Sequence, residues 1–532
     1  MEISSDIIVV GAGPTGLTLA AELLSRGVAV RVIDRAERPH PHSRALVLWP
    51  RALEILERLG AGDAIAKRSI EIHGQVYYSG GRKRARVDFD RLPGSRYTSP
   101  VSIPQQDTEA VLRERFQSLG GRIDFGVELS GLRDTGDGVE ADLVAGDRSW
   151  TVRTPWLAGC DGAHSTVREL IKVSFDGAPY EQKFVLTDGE CETSLAHDEA
   201  HHFMTGTGVL TVLGLPGGQY RVVASTAAAA EVADPAAFVQ QSAEERCPVP
   251  LRLVGEQRTG DFRVQRRMAG EFRLGRVVIL GDAAHINSPV GAQGLNTGIE
   301  DAHALGWRLA LVRQGVYQDR AIDEWARERR HMAGLVVADT DKQTRIWMLR
   351  GRRAAARDLL LAAAERTGLL NRYLPTRFAQ LSNAYPSAEP GLRRLRAGMR
   401  LPDVPLESGW LRDTLRSGDP VLLVLAADAR SPERLGSARR LLDGVAADAR
   451  PGGAALRLFL VSRLPGADDR TVLADPDGRA HAAVGAREPS VVLLRPDGIV
   501  ALACRFGDPR IAARIRELAP RRRSAPPAEP SR

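Results

Sequence analysis

Gly11-Ala12-Gly13-Pro14-Thr15-Gly16 sets three glycines in G-x-G-x-x-G spacing, directly after the apolar run Ile7-Ile8-Val9-Val10. Such a loop binds anions through its backbone. Gly11 permits a tight turn, Gly13 lets the main chain approach a pyrophosphate, and Gly16 lets helix and strand pack closely. A helix over 17–26 would add unpaired N–H groups and a partial positive charge at its start. Asp34 closes a second apolar run 18 residues after Gly16, where a carboxylate accepts hydrogen bonds from an adenosine ribose. NAD, NADP and FAD all use this unit. Arg35 has the charge for a 2′-phosphate, but Asp34 beside it repels that group, so NADP fits least.

Two more groups follow. Asp161-Gly162 ends the apolar run Trp156-Leu157-Ala158-Gly159, with Ser165 placed to cap the next helix. Taken alone, that dipeptide reads as a plain strand-ending turn. Gly281-Asp282 ends a further buried run, Val277-Val278-Ile279-Leu280, and leads through a loop with Pro289, Gly291 and Gly294 into a helix over 296–312. Its apolar positions Ile299, Ala302, Leu305, Leu309 and Val312 keep a 3.6-residue period. Two anion cradles so far apart in sequence can hold the two ends of one long cofactor.

The elements that must position these residues alternate between buried strands and amphipathic helices, the pattern of a parallel sheet. Helices are expected over 50–59, 107–117 and 235–246, and a strand over 123–127. Between 177 and 267 the texture becomes antiparallel, with a hairpin turned at Pro216-Gly217-Gly218-Gln219, and 75–100 is expected to join that sheet. The expected division is a Rossmann-like dinucleotide-binding domain over 1–176 and 268–390, the latter with a helical region, and an inserted substrate-covering sheet over 177–267. A thioredoxin-like domain over 391–519, with a helix at 430–445, and a disordered tail over 520–532 complete it.

Composition narrows the class. The 532 residues are 43% hydrophobic and 26% charged, ordinary for a globular chain. The net charge of +7 comes from a chain in which only five of the 73 basic residues are lysine, and no nucleic-acid motif accompanies it. Solvated arginines explain it, and no nucleic-acid partner is expected. No apolar run reaches a membrane span and the N-terminal residues lack a basic leader, so a cytoplasmic protein with no membrane partner is expected. Cys160, Cys191, Cys247 and Cys504 have neither metal nor disulfide spacing, and no metal is expected.

Together, the glycine loop with Asp34, the run Cys160-Asp161-Gly162-Ala163-His164-Ser165-Thr166-Val167-Arg168, and Gly281-Asp282 with Pro289-Val290-Gly291-Ala292-Gln293-Gly294-Leu295-Asn296 resemble the class A FAD-dependent aromatic hydroxylases of the para-hydroxybenzoate hydroxylase type. Leu401-Pro402-Asp403 and Arg495-Pro496-Asp497-Gly498 resemble the appended domain of the bacterial polyketide and phenol hydroxylase branch. The resemblance implies that Gly11, Gly13, Pro14, Thr15 and Gly16 border the pyrophosphate, with Asp34 and Arg35 at the adenosine ribose. It implies Arg44 on the flavin side, Gln105 at the ribityl chain and Val127 at the adenine. Asp161 would support the pyrophosphate motif and Asp282 would bind ribityl hydroxyls. Pro289, Gly291, Gln293, Gly294, Leu295 and Asn296 would lie along the isoalloxazine ring. Ala292 departs from the Gly-Gly common in this branch, and Asp34 from the commoner glutamate.

The implied activity is hydroxylation of an aromatic small molecule through a flavin hydroperoxide, consuming NADPH or NADH as a transient reductant and O2 as co-substrate. The resemblance leaves room for a homodimer. Baeyer–Villiger or epoxidising oxidation, and a flavin- or ligand-sequestering binding protein, are the alternatives. No catalytic base can be named from the residues. His285 reads as packed beneath its loop. Pro289, Val290, Tyr220 and His201 are the substrate-side candidates, with His202 in the same covering sheet.

Overall fold

The computed structural model describes residues 5–39, 45–90, 92–426, 456–463 and 471–518. It divides into two compact units, one of residues 1–93, 97–303 and 329–380, the other of 94–96, 304–328 and 381–532. In the first, a six-stranded sheet runs in the order Arg273–Leu274, Val277–Ile279, Trp156–Gly159, Ile7–Val10, Val30–Asp34, Ile123–Phe125. All pairings are parallel except that of the edge strand Arg273–Leu274. Ile7 to Val10 are all buried, which is why the run carries no polar residue. The helices Pro14–Ser25 and Gln105–Ser118 pack on one another.

The second layer is an eight-stranded sheet in the order His285–Ile286, Leu251–Ala269, Phe175–Thr193, Tyr220–Ala227, Val209–Gly214, Glu199–Met204, Gly74–Ser79, Arg82–Asp88. Its 74–88 hairpin comes from far upstream, through a parallel pairing of Gly74–Ser79 with Glu199–Met204. The helix Pro235–Arg246, capped by Asp234, covers one face, where Val239 and Ala243 meet Val185, Phe203, Val212 and Val222. A separate three-stranded meander comprises Glu128–Asp134, Val139–Ala145 and Arg148–Thr154, the last two strands joined by a turn at Gly146-Asp147.

The second unit contains a five-stranded sheet ordered Val472–Ala474, Arg457–Ser462, Val421–Ala426, Ser490–Leu494, Val500–Arg505. Its first three strands are parallel and the last two antiparallel. Leu423, Leu425, Val461, Val492 and Leu494 form one core, and Leu422, Val424, Leu493 and Leu502 another on the opposite face. The helix expected over 430–445 and the tail from 520 lie outside the described residues. Among those described, no helix is long and apolar enough to cross a membrane.

Candidate cofactor and substrate site

Every strand of the parallel sheet that carries a motif delivers it at its carboxyl end, the edge where such sheets bind ligands. Gly11 follows Ile7–Val10, Cys160-Asp161 follows Trp156–Gly159, and Leu280-Gly281 follows Val277–Ile279, on three adjacent strands. Asp34 and Val127 stand at the next two strand ends. Gly11 has φ +105°, and a Cβ there would run into the Cys160 carbonyl. A Cβ at Gly16 would collide with the Gly11 carbonyl. At Gly13, by contrast, nothing lies within 4 Å of where a Cβ would be. It precedes Pro14 in a helix N-terminus that no side chain caps. Two glycines are thus spent on packing, and the third faces open space where main chain can meet a phosphate.

Asp34 is fixed beside this loop. Its Oδ2 accepts from the Ala12 N–H at 2.8 Å and its Oδ1 from the Ala36 N–H at 2.9 Å. Val127 is buried, and its N–H donates to the Asp34 carbonyl at 3.0 Å. Arg35 is exposed. Gln105 opens its helix, and its Oε1 accepts from the Ala45 N–H at 3.1 Å. Arg44 lies outside the described residues.

The second motif braces the other two. Asp161 accepts from the Ser165 hydroxyl at 2.6 Å and the Val167 N–H at 3.1 Å, while burial pushes its carboxyl above the usual range. Ser165 caps the short helix, as its position in the sequence implied. Arg168 then donates to the Ala163 carbonyl at 3.0 Å and to Ala283 of the third motif at 2.9 Å. Thr15 closes the triangle: a Cβ on either Gly281 or Gly298 would strike its hydroxyl. The two glycine cradles therefore adjoin.

In the third motif, Asp282, Pro289, Gly291, Gly294 and Leu295 keep solvent-accessible surface, whereas Gln293 and Asn296 are buried and hold the loop. The Asn296 Oδ1 accepts from the Trp49 N–H at 2.8 Å, and its Nδ2 donates to Val47 and Ala292 carbonyls, each at 2.9 Å. The Gln293 Nε2 donates to the Gly291 and Phe378 carbonyls. Ala292 sits at φ +52°, the left-handed region that glycine enters freely. That position accounts for the Gly-Gly from which this chain departs.

Beneath the loop lies a buried ion network that no local motif announces. His285 Nε2 meets Asp301 at 2.6 Å, Arg329 reaches Asp301 at 2.7 Å and Glu300 at 2.9 Å, and Arg51 reaches Glu300 at 3.1 Å. Asp301 also accepts from the Gly281 N–H at 3.2 Å. Burial alone would raise both carboxyls, but Arg329, with Arg51 on Glu300 and His285 on Asp301, outweighs it and holds them below the usual range. His285 is packed, as read from the sequence.

The substrate-side candidates separate. Pro289 is exposed and Val290 buried on the third loop. Tyr220 instead lies in the core beneath the helix Pro235–Arg246, its hydroxyl donating to the Leu195 carbonyl at 3.3 Å. His201 shares that face, bonded to the Ala196 carbonyl at 2.9 Å and packed near Tyr78. Strand alternation puts His202 on the opposite face. There its ring meets Tyr77 and Trp347, with centroids 5.3 and 4.5 Å away. Trp347 ends the helix Arg320–Trp347, in which Thr344 donates to Ser288 of the third loop at 2.6 Å. One helix thus links the His202 face to the loop before Pro289. Trp49, Thr344 and Trp347 carry no motif and were missed in the sequence. Among the described residues no His, Cys, Asp and Glu cluster could hold a metal.

These features define a dinucleotide-binding α/β protein with a second sheet beside the cofactor edge. Residues 4–340 match the family described as "FAD binding domain". The chain is 34% identical to 6-methylpretetramide 4-monooxygenase of Streptomyces rimosus, over 96% of this chain and 93% of that protein. It is 32% identical to a rifampicin monooxygenase of Streptomyces venezuelae, over 79% and 87%. OxyS anhydrotetracycline hydroxylase from Streptomyces rimosus superposes with a TM-score of 0.77 at 26% identity, covering 97% of this chain and 99% of that one. The chain belongs to the FAD-binding-domain family, and within it to the class A flavin-dependent aromatic hydroxylases that the three motifs resemble. It is an enzyme, an FAD-dependent monooxygenase.

Proposed function

We propose that the chain hydroxylates an oxygen-bearing aromatic ring system of the polyketide kind. The observation that carries this is the convergence of three motifs on one sheet edge, joined through Thr344 and Ser288 to a sheet face bearing Tyr77, His202 and Trp347. Relatives named for 6-methylpretetramide, rifampicin and anhydrotetracycline support the substrate class. The balanced reaction joins an aromatic C–H, O2, NAD(P)H and a proton to give the phenol, NAD(P)+ and water.

Bound FAD supplies acceptance of the hydride and activation of oxygen. The residues of the chain supply the rest. The Gly13 backbone and the helix start behind it would hold the pyrophosphate, Asp34 the ribose, Val127 and Gln105 the two arms of the cofactor, and Asp282 the ribityl hydroxyls. The positive end of the helix Gly294–Arg313 would favour negative charge on the flavin pyrimidine. Pro289 and Val290 border the reacting ring. The antiparallel sheet over 177–267, with the 74–88 hairpin, excludes water above it.

Residues 391–519 are proposed as a thioredoxin-like domain, a reading supported by three parallel and two antiparallel strands in the observed order. Its Cys504 has no neighbouring cysteine, and burial pushes its thiol up to about 11, against any redox part. Turnover of a phenol and polyketide panel under 18O2 with NADPH tests the function. One labelled oxygen per product molecule is expected, and NADPH oxidation yielding only hydrogen peroxide with every compound would refute it.

A further inference from the structure

Ring nitrogens buried without partners are uncommon, because each forfeits its hydrogen bond with water. His202 is 6% exposed, and its Nε2 is buried with no hydrogen-bond partner among the described residues. The other nitrogen is occupied: Nδ1 lies 3.1 Å from the Thr211 hydroxyl, its cross-strand neighbour. Tyr77 stands beside it at 5.3 Å with its own hydroxyl turned away, donating to Gln75 at 2.9 Å. Trp347 lies 4.5 Å from the same ring. Tyr77 and Trp347 also meet one another edge-on, with centroids 6.0 Å apart, so the three rings form one aromatic cluster that holds one unsatisfied ring nitrogen, His202 Nε2.

Resting on the hydroxylase reading above, we propose that His202 Nε2 is the hydrogen-bonding point for an oxygen substituent of the aromatic substrate, with Tyr77 and Trp347 as the aromatic surface its ring packs against. A hydroxyl that serves either as donor or acceptor, as on Thr211, lets a neutral imidazole present Nε2 to a phenolic O–H or Nε2–H to a ring carbonyl. The role is orientation. Burial lowers the His202 imidazole to about 3, so it is too weak a base to strip a phenol whose ordinary value is near 10. Sequence parity conceals the assignment: adjacent His201 also keeps one buried ring nitrogen, Nδ1, without a partner among the described residues, but it lies on the opposite face beside Tyr78, with its Nε2 on the Ala196 carbonyl.

The test uses the FAD-loaded enzyme and matched pairs of probes: 1-naphthol against 1-methoxynaphthalene, and 1-hydroxyanthraquinone against its methyl ether. Dissociation constants are read from the flavin absorbance change. Wild-type protein should prefer a hydroxylated probe over its ether by about tenfold. His202→Phe should bring that ratio near one with the FAD content unchanged, while His202→Gln retains part of it. If His202→Phe loses FAD, Thr211→Val is read instead, and it should also shrink the ratio. An unchanged ratio in FAD-loaded His202→Phe, or in Thr211→Val when that variant is read, overturns the role of His202 while leaving the function standing. A wild-type enzyme that binds no aromatic probe overturns both.

Discussion

At the carboxyl edge of the parallel sheet, the groups offered to a ligand are mainly backbone. They are the open main chain at Gly13, an uncapped helix start and the loop around Gly291. On the inner face of the antiparallel sheet they are side chains, Tyr77, His202 and Trp347, brought from strands and a helix more than a hundred residues apart. The first region is suited to what every flavin dinucleotide shares, phosphate and ribose, so the proposed chemistry there tolerates little variation. The second is the face proposed to recognise the ring that is hydroxylated. A difference of one residue in a strand moves a side chain from one face to the other, so this region can change substrate without disturbing the cofactor.

The largest effect should fall where the cofactor edge depends on long-range support. Arg329→Leu leaves Glu300 and Asp301 buried with too little positive charge, at a cost of about 3–5 kcal/mol. Both carboxyls sit below their usual range, so their stabilisation is complete above the unfolded value of about 4 and disappears as pH falls through the lower folded values. Urea unfolding across pH 3–8 should show the loss, with the acid limb of the variant moved to higher pH. Unchanged stability would mean that the third loop is held by its local bonds alone.

Next comes the glycine loop itself. Gly16→Val drives a side chain into the Gly11 carbonyl and should weaken FAD binding by about 3 kcal/mol, more than a hundredfold. Flavin titration of folded protein checks it. Retained affinity would break the claim that this site is made by close backbone packing.

These two cases show why the regions differed in legibility. Gly11 to Gly16, Asp34 and Gly281-Asp282 are contiguous signals whose meaning is fixed by local geometry, and the structure puts them on one edge. Helix bounds such as Pro235–Arg246 were equally local. Arg329, Arg51 and Trp49 carry no signal, since their partners lie roughly thirty to 250 residues away in the chain. His201 and Tyr220 were legible as members of a covering sheet but not by face, because register is set by pairing partners. The hairpin Gly74–Ser79 with Arg82–Asp88 supplies one of those partners from outside the inserted segment.

For the substrate face, the comparison sharpens into a rate. An aromatic substrate bound at that face should expel water and accelerate NADPH oxidation by at least about tenfold, roughly 1.4 kcal/mol of barrier. Stopped-flow mixing with and without a hydroxylated substrate measures it, and equal rates would separate the substrate face from control of reduction. The smallest effect belongs to Ala292. Its left-handed backbone costs about 1–2 kcal/mol, offset in part by the greater chain entropy of glycine. Ala292→Gly should therefore stabilise by at most about 1 kcal/mol, seen as a modest rise in Tm, and a fall would show that the loop carries no strain there.

The claim beneath all of this is that three separated motifs make one cradle for a flavin dinucleotide, with Asp34 at the adenosine ribose and the 281–296 loop at the other end. Heat denaturation of the purified yellow protein followed by chromatography of the released flavin tests it most directly. The account predicts FAD, close to one per chain, and its loss in Gly16→Val; release of FMN, or of no flavin after reconstitution with FAD, would contradict it.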